Sequence, residues 1–486
     1  MNGREKREIV VKNIVWRILE RFGAQIVTLS VSIVLARILD PSVYGTVAIV
    51  TVFTTFFQVF IDSGFGNVLI QKIDADELDF SSVFYFNILL CLVTYSLLFF
   101  SSPFIARFYD NNELSILLRV SGLSLIISGL KNVQQAYISK NLLFKKFFFA
   151  TIIGTVCAAI VGITMALIGF GVWAIVFENL VNVFVDTCIL WIVVEWRPKR
   201  VFSFMRLKKM FSFGSKLFLT SIFSTVYNEL RQLIIGKYYT ASDLAFYNKG
   251  RGFPILVSSN ISSAIESVLF PVFSQKQESI TELKNATRRS LKVTFFVISP
   301  MMTGLAFCAV PFVTVLLKEK WLPIVFYLRF FCFYYAIDCI TKIHINVTIA
   351  LGKGAMLLRI DLIKKLITFL VMICTVFISL KALVWATIAV VPIVYILSAY
   401  PSKKFINYSY WEQIKDIGPI ILCDLIMGAS VLSVGFFKLP SFIILLIQII
   451  TGVVVYIFIA KLLGVDSFDY LYTYVKDKLC KKKANQ

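Results

Sequence analysis

Arg17, Glu20, Arg21, Gln25, Thr28 and Ser32 recur at spacings of one to four residues. At 100° per residue they share one arc of a helix, while Ile18, Phe22, Ile26, Leu29 and Ile33 mainly cover the rest. Two guanidinium groups with a single carboxylate in helical reach leave a surplus positive charge. The chemistry this suits is anion capture, because a guanidinium offers a planar fork of donors to paired oxygens and keeps its proton at physiological pH. A second stripe runs through Thr51, Thr54, Thr55, Gln58 and Asp62, and a third through Lys216, Thr220, Ser224, Tyr227, Asn228 and Arg231. Ser259, Ser262, Ser263 and Glu266 form a fourth at i, i+3, i+4 and i+7. Glu229 falls on the opposite face of its helix from Lys216 and Arg231. The candidate cationic set is therefore Arg17, Arg21, Lys216 and Arg231. Its polar lining is Glu20, Gln25, Thr28, Thr55, Gln58, Ser224, Asn228 and Ser263. Asp62, Glu266, Glu178 and Asp186 are candidates for gating or for coupling to an ion.

These stripes need apolar helices to carry them. The chain is 58% hydrophobic and 16% charged, holds 46 Phe and has a mean hydropathy of +0.82, which excludes a water-soluble globular domain. A helix needs roughly 20 apolar residues to cross the hydrocarbon layer. About fourteen such spans are predicted, approximately at 13–38, 43–61, 82–106, 113–137, 147–168, 171–194, 213–236, 251–273, 288–317, 321–350, 357–379, 381–400, 415–436 and 441–463. The expected fold class is an all-α polytopic membrane protein. A charge at mid-bilayer costs on the order of 2.5–3.5 kcal/mol, so a first span with three of them demands a reason, and a shared wet cavity supplies it.

The net charge of +21 reads as topology rather than as a nucleic-acid surface. With a cytoplasmic N-terminus, the loops on that side hold about 28 Lys and Arg against about 8 opposite, the positive-inside bias. The densest cluster is Arg197, Lys199, Arg200, Arg206, Lys208 and Lys209, and a second is Lys476, Lys478, Lys481, Lys482 and Lys483; both suit anchoring against anionic headgroups. Arg17, Glu20 and Arg21 interrupt the first apolar stretch and no small-residue cleavage pattern follows, so the first span is expected to remain. Nine Cys are scattered without metal-ligand or disulfide spacing and read as small hydrophobes. No metal or other cofactor is expected.

The halves of the chain are alike. Leu35-Ala36-Arg37 followed by Pro41-Ser42-Val43-Tyr44-Gly45 parallels Ile235-Gly236-Lys237 followed by Ser242-Asp243-Leu244-Ala245-Phe246-Tyr247-Asn248. Each closes a polar span with a cation, then a tight turn, then an aromatic. This implies parallel six-span repeats with a site between them, a common transporter architecture. The expected division is 1–200, 201–405 and an appended 406–486.

The string Leu35-Ala36-Arg37-Ile38-Leu39-Asp40-Pro41-Ser42-Val43-Tyr44-Gly45 resembles the Leu-Ala-Arg-x-Leu-x-Pro-x-x-Tyr-Gly signature of Wzx-type bacterial polysaccharide exporters, especially the WzxC branch. Gly66 to Lys72, Gly236-Lys237 with Tyr247-Asn248, and Val268 to Ser274 are similar to the same branch, over roughly residues 5–400. The resemblance implies the multidrug, oligosaccharidyl-lipid and polysaccharide exporter superfamily. It also implies a flippase that carries undecaprenyl-pyrophosphate-linked oligosaccharide to the outer leaflet of the bacterial inner membrane by alternating access. Protonation or sodium binding at Asp62, Glu266, Glu178 or Asp186 would bias the two states, and ion pairing between lobes that closes the inner gate is the alternative role for these carboxylates. Related lipid II flippases of the MurJ type have essential arginines on the first span, where Arg17 and Arg21 stand. The Pro41–Gly45 turn is expected to act as a hinge.

Two rival readings remain. A membrane glycosyltransferase or polymerase usually carries its catalytic groups in a sizeable outer loop, and the longest here is roughly residues 237–250. A cation-coupled multidrug antiporter commonly takes cationic substrates, which Arg17 and Arg21 would repel. Elsewhere, Asp338 with Lys342 and Asp361 with Lys365 are i, i+4 pairs expected to neutralise each other. His344, the sole histidine, has no companion ligand nearby in sequence. Trp196, Trp321, Trp411, Tyr470, Tyr472 and Tyr474 are expected at headgroup level.

Overall fold

Lipid offers backbone amides no hydrogen-bond partners, so each long apolar run must close its own backbone as helix. The computed structural model describes residues 3–62 and 65–473, and among them there are sixteen α-helices, a further helical segment at 466–473, one 3₁₀ turn and no strand. Contacts divide the chain into two units, Met1–Ala245 and Phe246–Gln486.

The first unit contains α1 (Gly3–Ile38), α2 (Pro41–Ile61), α3 (Phe65–Gln71), α4 (Glu77–Phe108), α5 (Glu113–Lys140), α6 (Phe144–Ile168), α7 (Val172–Val193) and α8 (Phe204–Tyr238). Helix α1 packs on α6, α6 on α7, and α5 on both α4 and α7. Helix α2 lies against α5 and α8, with the rings of Phe60 and Phe218 5.3 Å apart. Helix α9 (Ala241–Gln275) begins in this unit and continues into the second.

The second unit adds α10 (Ile280–Phe307), α11 (Ala309–Leu317), a 3₁₀ turn at Glu319–Trp321, α12 (Ile324–Ala350), α13 (Gly354–Val376), α14 (Leu380–Ile406), α15 (Tyr410–Val434) and α16 (Ser441–Leu462). Helix α10 packs on α12 and α15, α14 on α12 and α13, and α16 on α15 and α11.

Thirteen of the fourteen expected spans each fall on one long helix. The ninth does not, because the run 288–317 breaks at Cys308 into α10 and α11. Among the described residues, eleven helices are long and apolar enough to cross a membrane. Helix α13 falls outside that set because it carries Arg359, Asp361, Lys364 and Lys365.

The repeated turn is visible in the backbone. Helix α1 ends at Ile38 and α2 starts at Pro41, while α8 ends at Tyr238 and α9 starts at Ala241. Pro41 suits the first turn of α2, where its missing N–H would have no partner. The two turns touch: a Cβ added at Gly45 would lie 1.7 Å from the Ala241 carbonyl oxygen, and one at Gly236 would lie 3.1 Å from Ile49. Gly45 thus serves close helix packing. Gly45→Ala is expected to cost roughly 1–3 kcal/mol, since backbone cannot swing aside as a side chain does. A thermal unfolding midpoint equal to that of the unsubstituted protein would contradict it.

Helix α4 starts with a capping box. Asp79 N–H donates to Asp76 Oδ1 at 2.9 Å and Asp76 N–H donates to Asp79 Oδ2 at 3.2 Å. The Asp79 amide, and then Arg206 whose Nη1 lies 2.6 Å from Asp76 Oδ2, hold the Asp76 carboxyl below its usual range. A depressed carboxyl adds stability above its unfolded-state value near 3.8, and that share is lost as pH falls through the folded value. Asp76→Ala is expected to cost roughly 0.5–2 kcal/mol at neutral pH. The deficit should shrink below pH about 4 in thermal unfolding, and a constant deficit would exclude the ionised cap.

The aromatic side chains near the span ends differ in their surroundings. Trp196 and Trp321 are buried at 6% and 0% exposure, whereas Trp411 is 65% exposed. The Trp196 ring lies 5.8 Å from Phe80 and 6.1 Å from Phe84, so ring packing at a helix end has drawn it inside. Tyr474 lies outside the described residues. Eight described Cys are free, five of them buried.

Candidate functional site

Helix α1 has three faces. Trp16 meets Phe148 with ring centroids 5.2 Å apart, Gly23 faces Ile152, and Val31 and Leu35 pack with Ala159 and Ala166, so this face belongs to α6. Ile18, Phe22 and Ile26 form an exposed apolar face. Arg17, Arg21, Gln25, Thr28 and Ser32 occupy the arc between them, with Arg21 and Thr28 exposed and the others half-buried.

The two arginines have different surroundings. Arg17 Nη1 donates to Glu20 Oε2 at 2.7 Å, and its guanidinium lies 5.0 Å from the Phe147 ring centroid. Glu20 is buried at the edge of the α6-facing side, so its charge is spent on Arg17. Arg21 has no carboxylate within 4 Å among the described residues, which makes it the surplus cation of the stripe.

On α2, Thr51 and Thr54 hydroxyls donate back to Val47 and Val50 carbonyls, and Thr55 and Gln58 are half-buried. Gln58 Nε2 donates to Asp62 Oδ1 at 3.1 Å, and Asn132 of α5 donates to the Ile61 carbonyl at 3.2 Å and to Asp62 Oδ1 at 3.4 Å. Asp62 is therefore held by two neutral amides. On α8, Ser224 and Arg231 are half-buried and Asn228 is exposed, while Glu229 accepts from Gln232. On α9, Ser259 and Ser263 are exposed, and Ser262 is buried. The side chains of Lys216 and Glu266 lie outside the described residues.

The remaining carboxylates on α7 differ. Glu178 packs against Gly162 of α6, where an added Cβ would lie 3.0 Å from the Glu178 Cβ. Asp186 Oδ2 accepts from Lys131 Nζ of α5 at 2.9 Å, and both side chains are largely buried. Lys131 escapes a reading of the sequence because 55 residues separate it from its partner. The i, i+4 pairs form as expected: Lys342 to Asp338 at 3.5 Å and Lys365 to Asp361 at 2.9 Å. His344 is fully buried, its Nδ1 2.8 Å from Ser402 Oγ.

Asp424 lies outside the four polar stripes. It lies fifteen residues into α15, is 6% exposed, faces Ser299 of α10, and its Oδ1 has no hydrogen-bond partner among the described residues. Its signal in the sequence is one acidic residue inside an otherwise apolar run, Ile420 to Ala429.

The fold is shared with the solved structure of lipid II flippase MurJ in an inward closed conformation, at a TM-score of 0.75, 17% identity, and coverage of 93% of this chain and 99% of that one. An inward-facing multidrug resistance MATE family transporter aligns at a TM-score of 0.62 and 14% identity, over 79% of this chain and 96% of that one. Among relatives by sequence, the succinoglycan biosynthesis transport protein ExoT of Rhizobium meliloti (strain 1021) is 26% identical over 64% of this chain and 63% of its own. The teichuronic acid biosynthesis protein TuaB of Bacillus subtilis (strain 168) is 26% identical over 56% of this chain and 57% of its own. The lipopolysaccharide biosynthesis protein WzxC of Escherichia coli (strain K12) is 23% identical over 62% of this chain and 61% of its own. The chain thus spans about three fifths of the length of these relatives. A family model described as polysaccharide biosynthesis protein matches residues 34–326, more than half of the chain, and the protein belongs to that family.

Proposed function

We propose that this protein is a flippase rather than an enzyme, moving undecaprenyl-pyrophosphate-linked oligosaccharide from the cytoplasmic to the outer leaflet of the bacterial inner membrane. The observation that carries the reading is Arg21, a cation on a polar helix face with no carboxylate partner beside it among the described residues, next to an arginine that Glu20 has neutralised. A diphosphate cannot cross hydrocarbon unaided, because desolvating such an anion costs many kcal/mol. Guanidinium forks replace its water. The family's name and the transport role in the name of the ExoT relative point the same way.

In this reading Arg17, Arg21, Lys216 and Arg231 hold the diphosphate. Gln25, Thr28, Thr55, Gln58, Ser224, Asn228 and Ser263 line a tolerant path for sugars. Residues 1–200 and 201–405 alternate as two six-span lobes, 406–486 is appended, and both termini are cytoplasmic as the distribution of Lys and Arg requires. Asp62 is the foremost coupling residue. A carboxylate held by the amides of Gln58 and Asn132 is open to exchange H+ or Na+ in a way that Asp186, paired with Lys131, is not. Glu178 and Glu266 are the further gate candidates.

The test is reconstitution. Proteoliposomes loaded on one face with a labelled polyprenyl-diphosphate oligosaccharide should expose it to an external glycosidase faster than protein-free vesicles do. Vesicles that show no gain with any lipid-linked sugar, while a cationic drug is moved, would replace this reading by the antiporter.

A further inference from the structure

Within the second unit, Asn285, Arg288, Arg289 and Lys292 of α10 share one helical face at i, i+3, i+4 and i+7. They border a 370 Å³ cleft whose other wall is Asp466, Ser467 and Tyr470. That wall exists because the chain turns at Gly464 (φ +59), after which residues 466–473 are helical again.

The charges around the cleft do not cancel. Arg288 makes a bidentate pair with Asp416, Nε to Oδ2 at 2.8 Å and Nη2 to Oδ1 at 2.7 Å. Lys292 Nζ lies 2.7 Å from Asp466 Oδ2 and 3.5 Å from Asp416 Oδ1. Arg289 has no carboxylate within 4 Å among the described residues; its guanidinium carbon lies 3.5 Å from the Tyr470 ring centroid. Ser467 is 2% exposed, lines the same cleft, and its hydroxyl has no hydrogen-bond partner among the described residues. A buried hydroxyl without a partner costs roughly 1–3 kcal/mol, so its place beside a cation points to an oxyanion that serves both.

We infer that this cleft is a binding site for the phosphate of a lipid, held by Arg289 and the Ser467 hydroxyl with Lys292 at its edge. The orientation proposed above puts the start of α10 and the end of α16 at the cytoplasmic surface, and only the choice of leaflet rests on that reading. Tyr470 suits headgroup depth, where an amphipathic ring has one apolar and one wet side. The cations discriminate by charge: a phosphoglycerol headgroup keeps its net negative charge, whereas the quaternary ammonium of phosphatidylcholine would be pushed against Arg289 and Lys292. Glycerophospholipid and polyprenyl phosphate both present this phosphate.

Native mass spectrometry of the full chain, released from detergent after titration with each lipid, separates the sources without measuring transport. Phosphatidylglycerol is expected to be retained at least tenfold more tightly than phosphatidylcholine. Arg289→Gln should lower that preference severalfold, and Arg289→Gln with Ser467→Ala should abolish it. Undecaprenyl phosphate that displaces phosphatidylglycerol with the same dependence on Arg289 would support the site and name the polyprenyl carrier as its occupant; failure to displace would support the site and name the membrane lipid. Equal retention of phosphatidylglycerol and phosphatidylcholine, or a preference untouched in Arg289→Gln, overturns the inference. Arg289 is exposed, so its replacement leaves the packed faces of α10 in place.

Discussion

Arg21→Glu is expected to slow transfer of a polyprenyl-diphosphate oligosaccharide at least a hundredfold in proteoliposomes, with Arg21→Lys falling between it and the unsubstituted protein. The size follows from two contributions of the same sign. A hydrogen bond to a charged group is worth about 1.5–3 kcal/mol, and opposing two like charges adds further cost, so a total of about 3 kcal/mol corresponds to a hundredfold. Lys keeps the charge and loses the bidentate fork. Arg17→Gln should have the smaller effect of the two arginine sites, because Arg17 already shares its charge with Glu20 at 2.7 Å. Transfer by Arg21→Glu at the rate of the unsubstituted protein would remove the diphosphate from α1.

The second large effect concerns stability. Lys131→Met is expected to destabilise the first unit by about 3–5 kcal/mol, because it leaves the buried Asp186 without its cation. Asp186 Oδ2 accepts from Lys131 at 2.9 Å, and among the described residues its Oδ1 has no hydrogen-bond partner to share the load. The backbone of α6 is also close: a Cβ at Gly154 would lie 3.2 Å from the Asp186 nitrogen, so α7 has little room to retreat. Replacing both charges, Lys131→Met with Asp186→Leu, should recover most of the loss, since an apolar pair of similar volume avoids desolvation altogether. Unfolding in detergent followed by tryptophan fluorescence measures both. A single variant as stable as the unsubstituted protein would show that water or lipid headgroups already reach the pair. The double variant also bears on coupling: it should still transport if Asp62 is the coupling carboxylate, and a stable protein that has lost transport would return Asp186 to that role.

Much of the candidate site was legible in the sequence because helical spacing alone puts Arg17, Arg21, Gln25 and Thr28 on one arc, and a single Glu20 within reach can neutralise only one of the two arginines. The same local rule gave the Asp338–Lys342 and Asp361–Lys365 pairs. Partners far along the chain were not legible. Lys131 for Asp186 and Asn132 for Asp62 come from α5, and the phosphate cleft joins α10 to a segment beyond α16.

By itself the sequence determined that the chain is a bundle of long helices and where nearly all of them begin and end. Run length is decisive when lipid cannot satisfy an open backbone, and turns such as Pro41 and Gly169 (φ +94) are local. Only the tertiary structure decided which charges survive. Arg17 is spent on Glu20 and Asp186 on Lys131, while Arg21 and Arg289 keep theirs; Trp196 and Trp321 moved inside, and the ninth span broke at Cys308. Apart from Arg17 with Glu20, which helical reach already made available, these outcomes depend on distances between segments, because the energy of a charge or a ring in a membrane protein is set by what packs across from it.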